Sequence, residues 1–148
     1  MTVVKLLALV VVLNIVRYVA AAPFEMWLIF EGLFGSMEGS PCFNTDFTTF
    51  DWVTSFFYNF MMWLSITWLF FLAESNLKGH YVVRSLKLYG VAWIFFAALS
   101  GVYMNHYSHT KDFYFFNVLD AMIVFTIVAV ANGLLYPRFR LARPSNSA

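Results

Sequence analysis

Charge is scarce in this chain: Lys, Arg, Asp and Glu make up 11% of its 148 residues, against 61% hydrophobic and 21% aromatic. A soluble domain carries roughly a quarter charged residues, because its surface must be wetted. A chain this poor in charge cannot cover itself that way, and lipid is expected to be the main solvent of its apolar segments. Cysteine is nearly absent too. With Cys42 alone, an intrachain disulfide, a Cys-x-x-Cys redox pair and a zinc ribbon are excluded, and with them the small thiol oxidoreductases of membranes. The net charge of +1 lends no support to nucleic acid binding. The chain has no His-x-x-x-His pattern, glycine-rich phosphate loop or serine elbow, so hydrolase and nucleotide chemistry have no visible basis. Haem clamped by two histidines needs imidazoles within the spans, whereas His80, His106 and His109 lie between them.

What the chain does have is four apolar runs, Val3 to Ala22, Trp52 to Ala73, Val82 to Tyr103 and Phe113 to Tyr136. Each reaches the roughly 20 residues that cross about 30 Å of hydrocarbon. Lipid offers no partner to backbone N–H and C=O groups, and the runs do not alternate as barrel strands would, so each is expected to be a helix. The expected fold is all-α, a single integral membrane four-helix bundle over residues 1–148. Thr48 and Asp51 stand at capping-box spacing before the second span, and Thr110 with Asp112 supplies a cap and a first-turn acid to the fourth. Gly79 breaks the second link, and Pro137 ends the last helix.

Basic residues near helix ends are retained on the cytoplasmic side. Lys5, Lys78, Arg84, Lys87 and the tail residues Arg138, Arg140 and Arg143 fall on one side, with only Lys111 opposite. Both termini are therefore expected inside, 137–148 as a basic cytoplasmic tail, with the bacterial inner membrane as the expected location. The stretch Lys5, Leu6 to Val16 and Val19-Ala20-Ala21-Ala22 also resembles a secretory signal, although Pro23 blocks cutting directly after Ala22 and leaves Ala21 as the alternative. The outer loop, 23–51, opens with an amphipathic segment, 24–34, too short to span and too apolar for water. An interfacial or re-entrant helix is expected there, as a lid over the bundle.

Polar residues inside the spans are the most informative, because a charge in hydrocarbon needs a partner or a watery cavity. Arg17 and Asp120 lie at roughly equal depth, about 8–10 Å below the outer boundary, which suggests an ion pair between the terminal helices. Asn14 and Asn117 stand one turn from them, and Tyr58 with Asn59 reaches a similar depth on the second helix. These six residues form a candidate polar cluster: a clamp for helix packing, a ligand or substrate site, or an ion or proton path. Met104, His106 and His109 form a second constellation, a thioether and imidazole set suited to copper, which Met26, Met37 and Cys42 could complete. Aromatic rings at all depths of the second helix, among them Phe56, Phe60, Trp63, Trp68 and Phe71, suit packing against a quinone, lipid or pigment, or against other subunits. Ala97 with Gly101, and Ala129 with Gly133, follow the spacing that lets helices approach closely.

No motif ties the chain to a family, and topology alone does not license a function. The leading expectation is a non-catalytic subunit or assembly partner of a larger membrane complex, among lipids and other subunits or copies of itself. The alternative is a small membrane enzyme or binding protein for a lipophilic ligand at the outer polar cluster. A transporter or channel component is the third.

Overall fold

The computed structural model describes residues 2–38, 46–106, 110–139 and 141. Among these the chain is 88% helix with no strand. Six α-helices follow in order: α1 (Thr2–Val16), α2 (Ala22–Leu28), α3 (Phe30–Met37), α4 (Thr49–Ala73), α5 (Tyr81–His106) and α6 (Lys111–Leu135). A π-helical segment, Arg17–Ala21, joins α1 to α2 without a break, and a 3₁₀ turn, Glu74–Asn76, follows α4. Four helical stretches are long and apolar enough to cross a membrane: Val3–Leu28, Thr49–Asn76, Tyr81–His106 and Lys111–Leu135.

The ends of these helices follow from local chemistry. Before α4, the Thr48 hydroxyl accepts from the Asp51 amide at 3.3 Å while the Asp51 carboxylate accepts from the Thr48 amide at 2.8 Å, so two otherwise orphaned donors are satisfied. Thr110 caps α6 through the Phe113 amide. Between α4 and α5 the chain turns on Gly79, whose φ of 111° is a conformation other residues rarely adopt.

The first span is longer than the sequence suggests. The apolar run is expected to end at Ala22, yet the helix runs on to Leu28. A π turn shifts the backbone bonding register, and Pro23, with no N–H to donate, falls in the first turn after that shift. The segment 24–34 is consequently divided. Phe24 to Leu28 completes the first long helix, and after a kink at Ile29 (φ −122°, ψ −23°) the chain starts α3 in a new direction.

The long helices are antiparallel neighbours in the cyclic order α4, α1, α6, α5, with the α5–α6 hairpin the most extensive contact. On α1 the buried residues Leu6, Leu9, Val10 and Leu13 recur at one helical face, and on α6 Ala121, Val124, Phe125, Val128 and Ala129 do the same. Between them Trp63 of α4 stacks on Tyr89 of α5 (6.2 Å) and meets Phe125 edge-on (5.3 Å). In lipid such packing is held by close van der Waals fit and interhelical hydrogen bonds, since the surroundings are as apolar as the core. Two hydrogen bonds of this kind are buried: Thr67 with Tyr89 at 3.0 Å, and Asn132 Nδ2 donating to Ser85 Oγ at 3.0 Å.

Four antiparallel long helices bring the start of α1 and the end of α6 to one end of the bundle. There Glu74, whose side chain is 2% exposed, meets Arg84 at 3.2 Å. The same guanidinium donates to the carbonyls of Gly79 (2.6 Å) and Glu74 (3.2 Å). This fastens the α4–α5 turn.

A candidate functional site at the other end of the bundle

At the opposite end, the π-helical segment decides which side chains meet. In a regular α-helix, eight residues advance about 800°, which leaves Arg17 and Glu25 on faces roughly 80° apart. A π turn takes up one extra residue, so the pair is related as residues seven apart are, roughly 20° from a common face. The Glu25 side chain leans back toward the helix N-terminus, as helical side chains do. Arg17 Nη1 and Glu25 Oε2 close to 2.7 Å, with the side chains 20% and 14% exposed. The guanidinium also lies 5.3 Å from the Tyr18 ring centroid, near enough for a cation–π contact.

Asp120 completes the group from α6. Its carboxyl faces Arg17 and comes within hydrogen-bonding reach of Glu25. Arg17, Glu25 and Asp120 line one side of an open cavity of about 200 Å³, and Ala22, Met26, Ile29, Phe30, Leu33 and Phe34 line the rest. The cover is α3. It lies against α6, with Gly32 packed on the Phe116 ring. The Thr110 hydroxyl ties the two together by donating to the Ser36 carbonyl at 3.1 Å. The cavity rim is apolar and accessible, with Met26, Phe30 and Phe34 exposed and the two rings 4.2 Å apart.

The six residues of the expected cluster are only partly gathered. Arg17 and Asp120 share the cavity, but the ion pair of Arg17 is with Glu25, not with Asp120. Asn14 is fully buried; its Nδ2 donates to the Phe56 carbonyl at 3.4 Å, and its Oδ1 has no partner among the described residues. Asn59 donates to Ser55 on its own helix at 2.9 Å and faces the Tyr18 hydroxyl. Tyr58 points away from the bundle, 69% exposed. Asn117 is half-buried one turn before Asp120. Of the copper candidates, Met104 is half-buried and His106 exposed at the end of α5, while His109 and Cys42 lie outside the described residues. Among the described residues no three His, Cys, Asp or Glu side chains converge as a metal site would require.

Two features escaped the sequence reading. Glu25 falls in the expected outer loop, 23–51, within the segment 24–34; the signal for its true place is hydropathy continuing through Met26, Trp27 and Leu28. Glu74 falls in the expected link after Ala73 and Arg84 in the first turn of the expected third span, where it counts only toward orientation, although their spacing across a glycine turn suits a pair that closes it. Comparison with protein families, with characterised proteins and with solved structures finds no match to this chain.

Chemically, the pocket offers a charged floor and an apolar mouth. Its volume is below the roughly 300–1,000 Å³ of sites that enclose a drug-sized molecule. It suits a polar headgroup whose tail runs out over Phe30 and Phe34.

Proposed function

We propose that this protein binds a small amphiphile within the membrane, headgroup on the Arg17, Glu25 and Asp120 floor and tail along the apolar rim, with both termini cytoplasmic. One observation carries the reading: three ionisable side chains from two membrane helices converge on a cavity that a third, short helix covers. Ionisable groups at membrane depth are costly and mark functional positions by default. A clamp for helix packing would need only the ion pair; it would not need a second carboxyl or a cavity beside it. The test is native mass spectrometry of the protein released from its own membrane, compared with Leu33→Trp, which fills the cavity. A bound small molecule is expected on the wild type and absent from a folded variant. Equal occupancy of both, or none on either, would end the proposal.

A second reading, a subunit of a larger membrane complex, is favoured by α5. Its span is 11% buried, against 39% for α6. Val91, Ile94, Phe95, Ala98 and Val102 recur along its exposed face at helical spacing. Gly101 beside them has nothing within 4 Å of where its Cβ would be, leaving room for a neighbouring helix. Cross-linking from Phe95 in the native membrane is expected to capture another protein; labelling of lipid alone would remove this reading.

A further inference from the structure

The charges at the floor of the pocket do not balance. One guanidinium, Arg17, faces two carboxyl groups, Glu25 and Asp120, and among the described residues no second cation lines the cavity. From the π-helical segment Tyr18 adds a neutral phenol, from α6 Asn117 adds an amide one turn away, and the lining residues of α3, namely Phe30, Leu33 and Phe34, do not titrate. Glu31 on α3 and Lys111 and Asp112 at the start of α6 are exposed. An uncompensated carboxylate at this depth is costly.

Hydrogen-bond accounting points the same way. Glu25 Oε2 is taken by Arg17, whereas Glu25 Oε1 is closed off from solvent and receives no amide, hydroxyl or guanidinium donor among the described residues. The neighbour in reach is the Asp120 carboxyl, which can donate only if it carries a proton. A proton shared by the two acids satisfies the orphaned oxygen and makes the trio neutral. Two carboxyls in contact behave in this way because both cannot ionise side by side.

From this geometry we infer that the headgroup admitted to the pocket is a cation, the ammonium of a lipophilic amine, and that it enters by displacing the proton shared by Glu25 and Asp120. This rests on the pocket being a binding site, as proposed above. The exchange is electroneutral: one ammonium enters, one proton leaves to solvent, and Arg17 with two carboxylates and the ammonium again sums to zero. Arg17 is held by Glu25, so an anionic headgroup would find its guanidinium occupied and two acids facing it. The faces of Phe30 and Phe34 at the mouth are further suited to a cation in passage.

The test uses the full chain in phosphatidylcholine nanodiscs, with empty nanodiscs as blank, titrated with dodecylamine, dodecanol and dodecanoate by calorimetry in buffers of different protonation heat. Saturable binding of dodecylamine is expected, with one proton released per amine. Its affinity should rise about tenfold per pH unit while the pair holds its proton. Asp120→Asn keeps the size of the side chain and a donor to Glu25 but has no proton to exchange. Release should vanish there and affinity should fall at least tenfold; Glu25→Gln should do the same if Asp120→Asn folds poorly. Dodecanol or dodecanoate binding as tightly as the amine would overturn the cation assignment while leaving the pocket standing. Amine binding without proton release would overturn the exchange. No saturable binding of any of the three would overturn the pocket together with the inference.

Discussion

Replacing Gly133 by alanine puts a methyl group where α5 already lies. Its Cβ would fall 2.4 Å from the Cα and 2.7 Å from the N of Val82, and 3.0 Å from the carbonyl carbon of Tyr81. These are backbone atoms, so no rotamer change relieves the contact. Ordinary carbon contacts are about 3.5–4.0 Å, and the helices must therefore part by roughly 1 Å. Next to this contact Asn132 donates to Ser85 at 3.0 Å, and the same separation would stretch that bond past its useful range. Overpacking costs about 1–3 kcal/mol and a hydrogen bond between membrane helices contributes about 0.6 kcal/mol. Gly101→Ala is the control, because it makes the same chemical change on α5 with nothing within 4 Å of the new methyl. Helix propensity favours alanine in both variants by up to about 1 kcal/mol and cancels between them. The two should thus differ by about 2–4 kcal/mol in reversible unfolding by sodium dodecyl sulfate in mixed micelles, followed by tryptophan fluorescence and circular dichroism. Equal stability of the two variants would refute the α5–α6 packing on which the bundle rests.

Three further outcomes are expected in the same assay. Arg84→Ala removes the guanidinium that the buried Glu74 carboxylate meets, and should cost about 3 kcal/mol, with Glu74→Gln in the same chain recovering much of the loss; no cost would mean that the pair does not fasten the turn. Tyr89→Phe deletes only the buried hydrogen bond to Thr67 and should cost about 0.5–1 kcal/mol, whereas Trp63→Ala empties the centre of the core and should cost about 3–5 kcal/mol; the reverse order would place the core elsewhere. Thr48→Ala breaks the capping box of α4 and should cost about 1 kcal/mol, with hydrogen exchange rising first in the turn after Thr48.

The spans were legible because hydrocarbon imposes one length and one backbone solution. The third and fourth runs, Val82 to Tyr103 and Phe113 to Tyr136, fall within a few residues of Tyr81–His106 and Lys111–Leu135, and the caps at Thr48 and Thr110 lie where the sequence puts them. Rotation about each helix axis was not legible. In water an apolar stripe tells the core face from the solvent face, but in lipid both faces are apolar. Nothing in the sequence therefore separates Tyr58, which faces outward, from Asn59 one residue on, which faces Tyr18. Equal depth paired Arg17 with Asp120 because depth was the only coordinate available. The partner, Glu25, lies beyond the expected end of the first span at Ala22, and the bonding shift that carries the helix on to it leaves no mark in composition.

That shift explains why Pro23 is tolerated where it stands, and the two features can be separated. A π turn is in effect one residue inserted into an α-helix. Deleting Ala20 should restore a regular helix with Arg17 and Glu25 seven apart, still on one face, so the ion pair alone gives no reason to keep the extra residue. Pro23 does. Inside an uninterrupted ladder its ring meets the carbonyl four residues back and its missing N–H leaves that carbonyl unbonded, a cost of about 3 kcal/mol. Deletion of Ala20 should therefore destabilise by about that amount, and Pro23→Ala in the deleted chain should recover most of it. If the deletion alone proved harmless, proline and bulge would be unconnected, and the placement of Glu25 under Arg17 would need another cause. If the double variant recovered stability but lost amine binding, the bulge would be retained for the pocket: it sets how Ala22, Met26 and Ile29 present themselves to the ligand, beyond holding two charges together.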